Sequence, residues 1–310
     1  MSVFVPPASL PEGIPMRIVV TGATGQLGRL VVDALLADPA VPAGAVAAVV
    51  RNKEKAADLA DRGVELRIAD YSRPETLAGA FEAGDRVLLI SGSEVGQRVP
   101  QHAAVIDAAK AAGVAQLAYT GVLGGPGADF DLAAEHKATE ELILASGLPY
   151  TFLRNGWYSE NYTDNLAPVL AHGAVVGNAG EGRIASATRA DYAAAAAAVL
   201  TGPDEEHGRH LNRAYELSGD EAWSLAEYAA EIAARSGRPI AYTDVPAETH
   251  LEILTGAGVP EPFAAILVDV DEAIGRGALA VRTGDLARLI SRPTTPIGTT
   301  VAEALKVMTV

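Results

Sequence analysis

Short apolar runs and stretches of helical periodicity take turns along the first half of the chain. Residues 18–20 form an apolar run that reads as a buried strand. Leu27, Leu30, Val31, Ala34 and Leu35 then recur on one face of a helix. The pattern repeats with a strand at 46–50, a helix at 53–61 stopped by Gly63, and a strand at 64–68 that closes at Asp70. A short helix follows at 74–81, with Pro74 in its first turn, and then a strand at 87–90. A helix at 101–112 ends at Gly113, and a strand at 115–120 leads to a helix at 132–145 that ends near Gly147. The series closes with a strand at 150–153. Strands alternating with helices imply parallel pairing through right-handed crossovers, an α/β doubly wound sheet with its ligand crevice at the carboxyl ends of the strands.

Past Arg154 the pattern changes. Residues 155–182 are rich in Asn, Gly and Tyr and only weakly periodic. Helices return at 189–200 and 225–236, with short strands at 214–217 and 240–242. This predicts a sheet domain over 16–155 and a smaller C-terminal α/β lobe over 156–310, some of whose segments can return to the sheet. Residues 1–15 hold four prolines and no basic stretch, and read as a flexible extension rather than a secretory signal. No apolar run is long enough to cross a bilayer, which points to the cytoplasm.

Composition narrows the choices. A chain of 310 residues with 49% hydrophobic content buries a large core, and its net charge of −15 argues against phosphate-driven binding to nucleic acid and against an anionic membrane surface. The absence of cysteine removes disulfides, thiol catalysis and thiolate metal sites, and no metal site is expected.

The chemistry concentrates at strand ends. Gly22, Gly25 and Gly28, with Thr24, Gln26 and Leu27 between them, lie between the first strand and the first helix. Strand, glycine turn and helix is the Rossmann-type context that lets a pyrophosphate approach the backbone and meet the free N–H groups of a helix start. The second strand ends in Arg51 where an acid would accept from unphosphorylated ribose. A guanidinium there suits a 2′-phosphate and favours NADPH. Asp70 ends the third strand as either an adenine contact or a turn residue. Ser91, Gly92 and Ser93 follow the fourth strand, small enough to admit a cofactor ribose or simply to turn the chain.

The Tyr-x-x-x-Lys relay of short-chain reductases is missing, as is its serine: the fifth strand ends at Tyr119, Thr120 and Gly121, and the next helix carries His136. His136 is a candidate proton donor near neutral pH, or a group that fixes the nicotinamide ribose, or one that only satisfies local polar atoms. After the sixth strand, Asn155 is placed to bond a carboxamide or a substrate carbonyl. Trp157, Tyr158 and Tyr162 are candidates to stack on a flat substrate or to pack the lobe onto the sheet.

Residues 21–28, 50–52, 93–98, 135–140, 153–162 and 184–192 together resemble the NmrA-like atypical short-chain dehydrogenases, over about residues 16 to 308. The Asn155–Tyr162 and Ile184–Tyr192 blocks are the specific part. Thr120, at the end of the fifth strand, is a further candidate cofactor contact. The resemblance implies NADPH held by the glycine turn and Arg51, no flavin, and direct hydride transfer to a quinone placed between the nicotinamide and the lobe. Positioning would then supply most of the catalysis, and the protein can pair as a homodimer. Two departures from the relatives, Gly92 and the loop Gly121-Val-Leu-Gly-Gly-Pro126, bear on the substrate rather than the cofactor. A carbonyl reductase of polycyclic aromatics and a non-catalytic NADP-binding redox sensor remain alternatives.

Overall fold

The structure is a computed structural model that describes residues 17–202 and 207–308, so the N-terminal extension predicted over 1–15 lies outside it. Seven strands form the central sheet: β1 (Ile18–Thr21), β2 (Val46–Val50), β3 (Glu65–Ile68), β4 (Arg86–Leu89), β5 (Gln116–Val122), β6 (Tyr150–Asn155) and β9 (Arg213–Leu217). Their order is β3-β2-β1-β4-β5-β6-β9, and every pairing is parallel. The order reverses between β1 and β4, which is where a doubly wound sheet opens its crevice. β1, β2, β4 and β5 are buried along their whole length, as strands covered on both faces must be.

One face of the sheet is covered by α1 (Gln26–Ala37) and α7 (Arg189–Leu200), the other by α3 (Arg98–Ala112) and α4 (Ala133–Ser146). Between α1 and α3 in the chain lies only the short α2 (Ala57–Asp61). Ala193, Ala195, Ala196 and Ala197 line the buried side of α7, so α1 packs close to it with Val31, Val32 and Leu35. Thr188 caps α7 by accepting the Asp191 N–H.

The sheet predicted to end at residue 153 takes back a later segment: β9 pairs with β6 as its outer strand, so α7 and β9 belong with the sheet. The rest of the C-terminal half forms the lobe. After α5 (Glu160–Thr163) and α6 (Leu166–His172), β7 (Ala174–Gly177) pairs in parallel with β11 (Ala241–Asp244), and β8 (Arg183–Ile184) pairs antiparallel with β10 (Trp223–Ser224). Helices Leu225–Ser236, Ala247–Gly256, Glu261–Gly275 and Ile297–Met308 complete it, while the helix Asp285–Ile290 packs back on α7 and β9. Ser224 and Glu227 form a reciprocal capping box at the start of the first of these. The helix predicted over 74–81 is a single 3₁₀ turn, Pro74–Leu77, because Gly79 takes a left-handed φ of 80° and ends it. Among the described residues no helix is long and apolar enough to cross a membrane.

Candidate functional site

A cleft of about 1230 Å³ runs over the carboxyl ends of the strands. It exceeds the roughly 300–1,000 Å³ of a drug-sized ligand's pocket, leaving room for a dinucleotide and a second molecule. The glycine turn forms its floor. Gly22 has φ of 61°, in the left-handed region. A Cβ on Gly28 would lie 2.3 Å from the Gly22 carbonyl oxygen, and one on Gly25 would lie 3.2 Å from it. Only glycine lets α1 start this close to β1. No side chain caps α1 and no acid occupies its first turn, so its leading N–H groups stand free for an anion.

Arg51, Lys55, Asp70 and Tyr71 wall one end, at the tips of β2 and β3. The Arg51 side chain is 70% exposed and places Nη1 3.4 Å from Glu94 Oε1 across the cleft. Asp70 adopts the turn role: its Oδ1 accepts the Ser72 N–H at 3.0 Å and its Oδ2 lies 3.5 Å from Arg73 Nε.

The loop after β4 is tied down group by group. Thr21 Oγ1 accepts the Ile90 N–H, Thr120 Oγ1 accepts the Ser91 N–H, and His102 Nε2 accepts the Gly92 N–H at 3.0 Å. Arg98 Nε donates to the Gly92 carbonyl. Ser91 and Gly92 are thereby held in place, and with Ser93 they line the cleft. Thr120 was expected to touch the cofactor, but it is buried behind this loop and holds it in place.

Because His102 Nε2 accepts from Gly92, its proton sits on Nδ1, which donates to Thr139 Oγ1 at 2.9 Å; that hydroxyl in turn donates to the Glu135 carbonyl. Burial, and then the Arg98 cation, push His102 down to about 4. His136 also lines the cleft, with Nδ1 2.7 Å from the Tyr119 hydroxyl. Burial, followed by the charges of Arg98 and His102, lowers it to about 3. The structure therefore denies His136 the near-neutral titration expected of it: desolvation keeps the imidazole neutral.

At the other end, Asn155, Trp157 and Tyr158 form part of the wall with Gly121 and Val122. Arg189 lies over the Tyr158 ring at 5.1 Å and faces the same cleft. Tyr162 does not reach it. Its ring packs edge-on against Trp223 at 4.9 Å and Tyr228 at 5.6 Å inside the lobe, so it fastens the lobe rather than a substrate. The roof comes from helices Ala247–Gly256 and Glu261–Gly275, through Leu254, Phe263, Ile266 and Leu267, and from Val259 between them.

Among the described residues, three buried side-chain atoms have no hydrogen-bond partner: Tyr71 Oη, Arg98 Nη1 and Asn155 Oδ1. All three residues belong to this cleft. Arg98 Nη1 keeps an ion-pair contact with Glu135 Oε2 at 3.7 Å. An unpaired buried atom costs about 1–3 kcal/mol, so Tyr71 Oη and Asn155 Oδ1 mark places where a polar ligand completes the structure. Glycine floor, free helix start, a cation beyond it and an amide acceptor at the far end suit a phosphorylated dinucleotide ending in a carboxamide.

Arg98, His102, Tyr71, Arg189 and the roof helices were not singled out from the sequence. One signal was available: α3 buries Arg98, Gln101 and His102 on the same side as Val105 and Ile106, and α4 buries His136, Thr139 and Glu140. A helix that turns polar groups inward faces a site more often than a core.

Comparison with known proteins agrees with this geometry. Residues 22–203 match the NAD(P)H-binding family. The chain is 45% identical to quinone oxidoreductase 2 of Escherichia coli strain K12, over 94% of this chain and 99% of that one. A crystal structure of the NADPH-dependent quinone oxidoreductase QOR2 from Escherichia coli, complexed with NADPH, superposes with a TM-score of 0.88 at 44% identity, over 93% and 99% of the two chains. The Citrobacter sp. triphenylmethane reductase complexed with NADP(H) superposes with a TM-score of 0.87 at 42% identity, over 93% and 99%. The chain belongs to the NAD(P)H-binding family, in keeping with the dinucleotide site that its glycine turn implies.

Proposed function

We propose that the protein is an NADPH-dependent reductase that delivers a hydride to a quinone without a flavin. The observation that carries this reading is the continuity of the cleft: the phosphate-binding floor runs directly into a chamber walled by Trp157, Val122, Phe263 and Ile266, with no tyrosine–lysine relay between. A flat apolar acceptor fits there, and a strong acceptor needs placement more than acid–base assistance. The likeness to a quinone oxidoreductase over nearly the whole of both chains supports it.

Bound NADPH supplies the hydride. The residues of this chain do the rest. The Gly22–Gly28 turn and the start of α1 hold the pyrophosphate, and Arg51 takes the 2′-phosphate in exchange for Glu94. Asn155 Oδ1, unpartnered in the cleft, would accept from the carboxamide and so orient the nicotinamide. The loop 91–93, pinned at Ser91 and Gly92, sets the ribose, and the roof helices exclude water from the acceptor.

NADPH oxidation by purified protein, followed with and without naphthoquinone, tests the reading. Quinone-dependent turnover by protein free of flavin absorbance is expected. Tight NADPH binding with no turnover would refute it. A second reading, reduction of larger polycyclic aromatic cations or carbonyls, is favoured by the equal structural likeness to triphenylmethane reductase, and the same assay with a triphenylmethane dye distinguishes the two.

A further inference from the structure

His136 is held from behind by Tyr119, and the direction of that contact decides what the ring shows to the cleft. The two groups are 2.7 Å apart and buried. A phenol is the stronger acid and an imidazole nitrogen the better acceptor, so the hydroxyl donates and Nδ1 accepts. The neighbouring chain leaves this arrangement undisturbed. Thr139 also touches the Tyr119 hydroxyl, but its Oγ1 already receives the His102 Nδ1–H and its own proton goes to the Glu135 carbonyl, which leaves the imidazole nitrogen as the better acceptor for the phenol. The single ring proton of His136 therefore sits on Nε2, for which the described residues provide no hydrogen-bond partner.

We infer that His136 is a catalytic residue acting as a neutral hydrogen-bond donor: its Nε2–H meets the acceptor oxygen that becomes anionic on reduction, and Tyr119 is the positioning residue that fixes the tautomer. The inference rests on the quinone-reductase reading. Quinone and hydride combine to the hydroquinone monoanion, both electrons arriving with the hydride as NADPH becomes NADP⁺. His136 keeps its proton, and water supplies the one that completes the hydroquinone. A neutral imidazole stabilises such an oxyanion without having to titrate. The groups around it agree. Arg98 and His102 face it from α3, Tyr119 from β5, and Glu135 and Glu140 lie on its own helix, the latter paired with Arg154. Arg98, whose Nη1 lies 3.7 Å from Glu135 Oε2, is a buried, ion-paired guanidinium lining the same cleft.

The test pairs a spectroscopic measurement with kinetics. In the histidine-labelled protein without cofactor, ¹⁵N NMR between pH 5 and 8 should show His136 with bare Nδ1 and protonated Nε2 throughout. A proton on Nδ1, or titration near the ordinary histidine value, would overturn the inference. With NADPH and naphthoquinone, His136→Ala should lower kcat by roughly 10²-fold with the KM for NADPH little changed, and His136→Gln, which keeps a neutral donor, should recover most of it. Tyr119→Phe should give mixed tautomers and about a tenfold loss in kcat. Equal rates for His136→Ala and the parent would overturn the catalytic role. Absence of turnover with every quinone, with the tautomer intact, would overturn the quinone reading; a wrong tautomer with turnover intact would overturn this inference alone.

Discussion

Replacing Arg51 by alanine separates the two nicotinamide cofactors. Its guanidinium stands at the tip of β2, largely exposed, and is paired with Glu94 at 3.4 Å. An exposed pair of this kind contributes about 0–1 kcal/mol, so its loss leaves global stability unchanged within error. A hydrogen bond between charged groups contributes about 1.5–3 kcal/mol. Allowing about 0.5 kcal/mol for the Glu94 contact surrendered on binding, Arg51 is worth about 1–2.5 kcal/mol toward a 2′-phosphate. Isothermal titration of Arg51→Ala should therefore show the NADPH Kd rising about 5- to 60-fold and the NADH Kd unchanged. The loss should shrink with added salt, because the site is open to solvent. Glu94→Gln removes the competing carboxylate and should tighten NADPH by about 2- to 5-fold at low salt. Equal weakening of both cofactors by Arg51→Ala, or weaker NADPH binding in Glu94→Gln, would refute the assignment.

Three further outcomes are expected. Gly28→Ala forces a methyl to within 2.3 Å of the Gly22 carbonyl oxygen; urea unfolding should show a loss of about 1–3 kcal/mol, and NADPH binding should fail as the turn opens. Tyr162→Phe should leave kcat and KM for the acceptor unchanged, since its ring lies in the lobe core, whereas Trp157→Ala should raise the acceptor KM; the reverse result would return Tyr162 to the cleft. Asp271 is buried beside Asn178 and His250, and burial pushes its carboxyl up to about 6. The folded state thus holds this proton more tightly than the unfolded chain. The stabilisation is full below pH 4 and is lost as pH rises through about 6, an effect of about 3 kcal/mol. Asp271→Asn should be more stable than the parent at pH 7.5 and show less of this decline in urea midpoints between pH 4 and 7; identical profiles would sink the idea.

The first half of the fold was legible because a parallel sheet buries whole strands, so Val46–Val50 appears as an unbroken apolar run, and α3 and α4 end at the glycines Gly113 and Gly147. The same logic exposed the glycine turn. The lobe was harder to read because its strands are short and face solvent on one side: β7 alternates buried and half-buried positions, and β11 is mostly exposed. The destination of β9 was not readable, since Arg213–Leu217 looks alike whether it joins the lobe or the main sheet. Within the site, backbone-determined positions were found and tertiary ones were not. Thr120 and Tyr162 stand at the right places in the chain, yet one turns inward behind a loop and the other into the lobe. Arg98 and His102 lie only a turn apart on α3, but their value arises from reaching back to Gly92, a contact that spacing alone does not reveal.

The return of β9 to the sheet has a consequence for how ligands exchange. Chain from the lobe passes back to cover the sheet with α7 and β9, leaves again, and returns once more in the helix Asp285–Ile290. The two parts are laced together by several connections rather than joined at one hinge. A rigid swing of one body against the other would strain every crossing at once. The helix Glu261–Gly275 is itself anchored in the lobe core through Val270, Ala273 and Ile274, so the roof it forms with Ala247–Gly256 is part of the same laced body. A fragment cut after residue 155 would lack both α7 and the outer strand, leaving the β6 edge and the apolar side of α1 bare. The cofactor-binding half is thus not a separable module, although its glycine turn lies at its beginning.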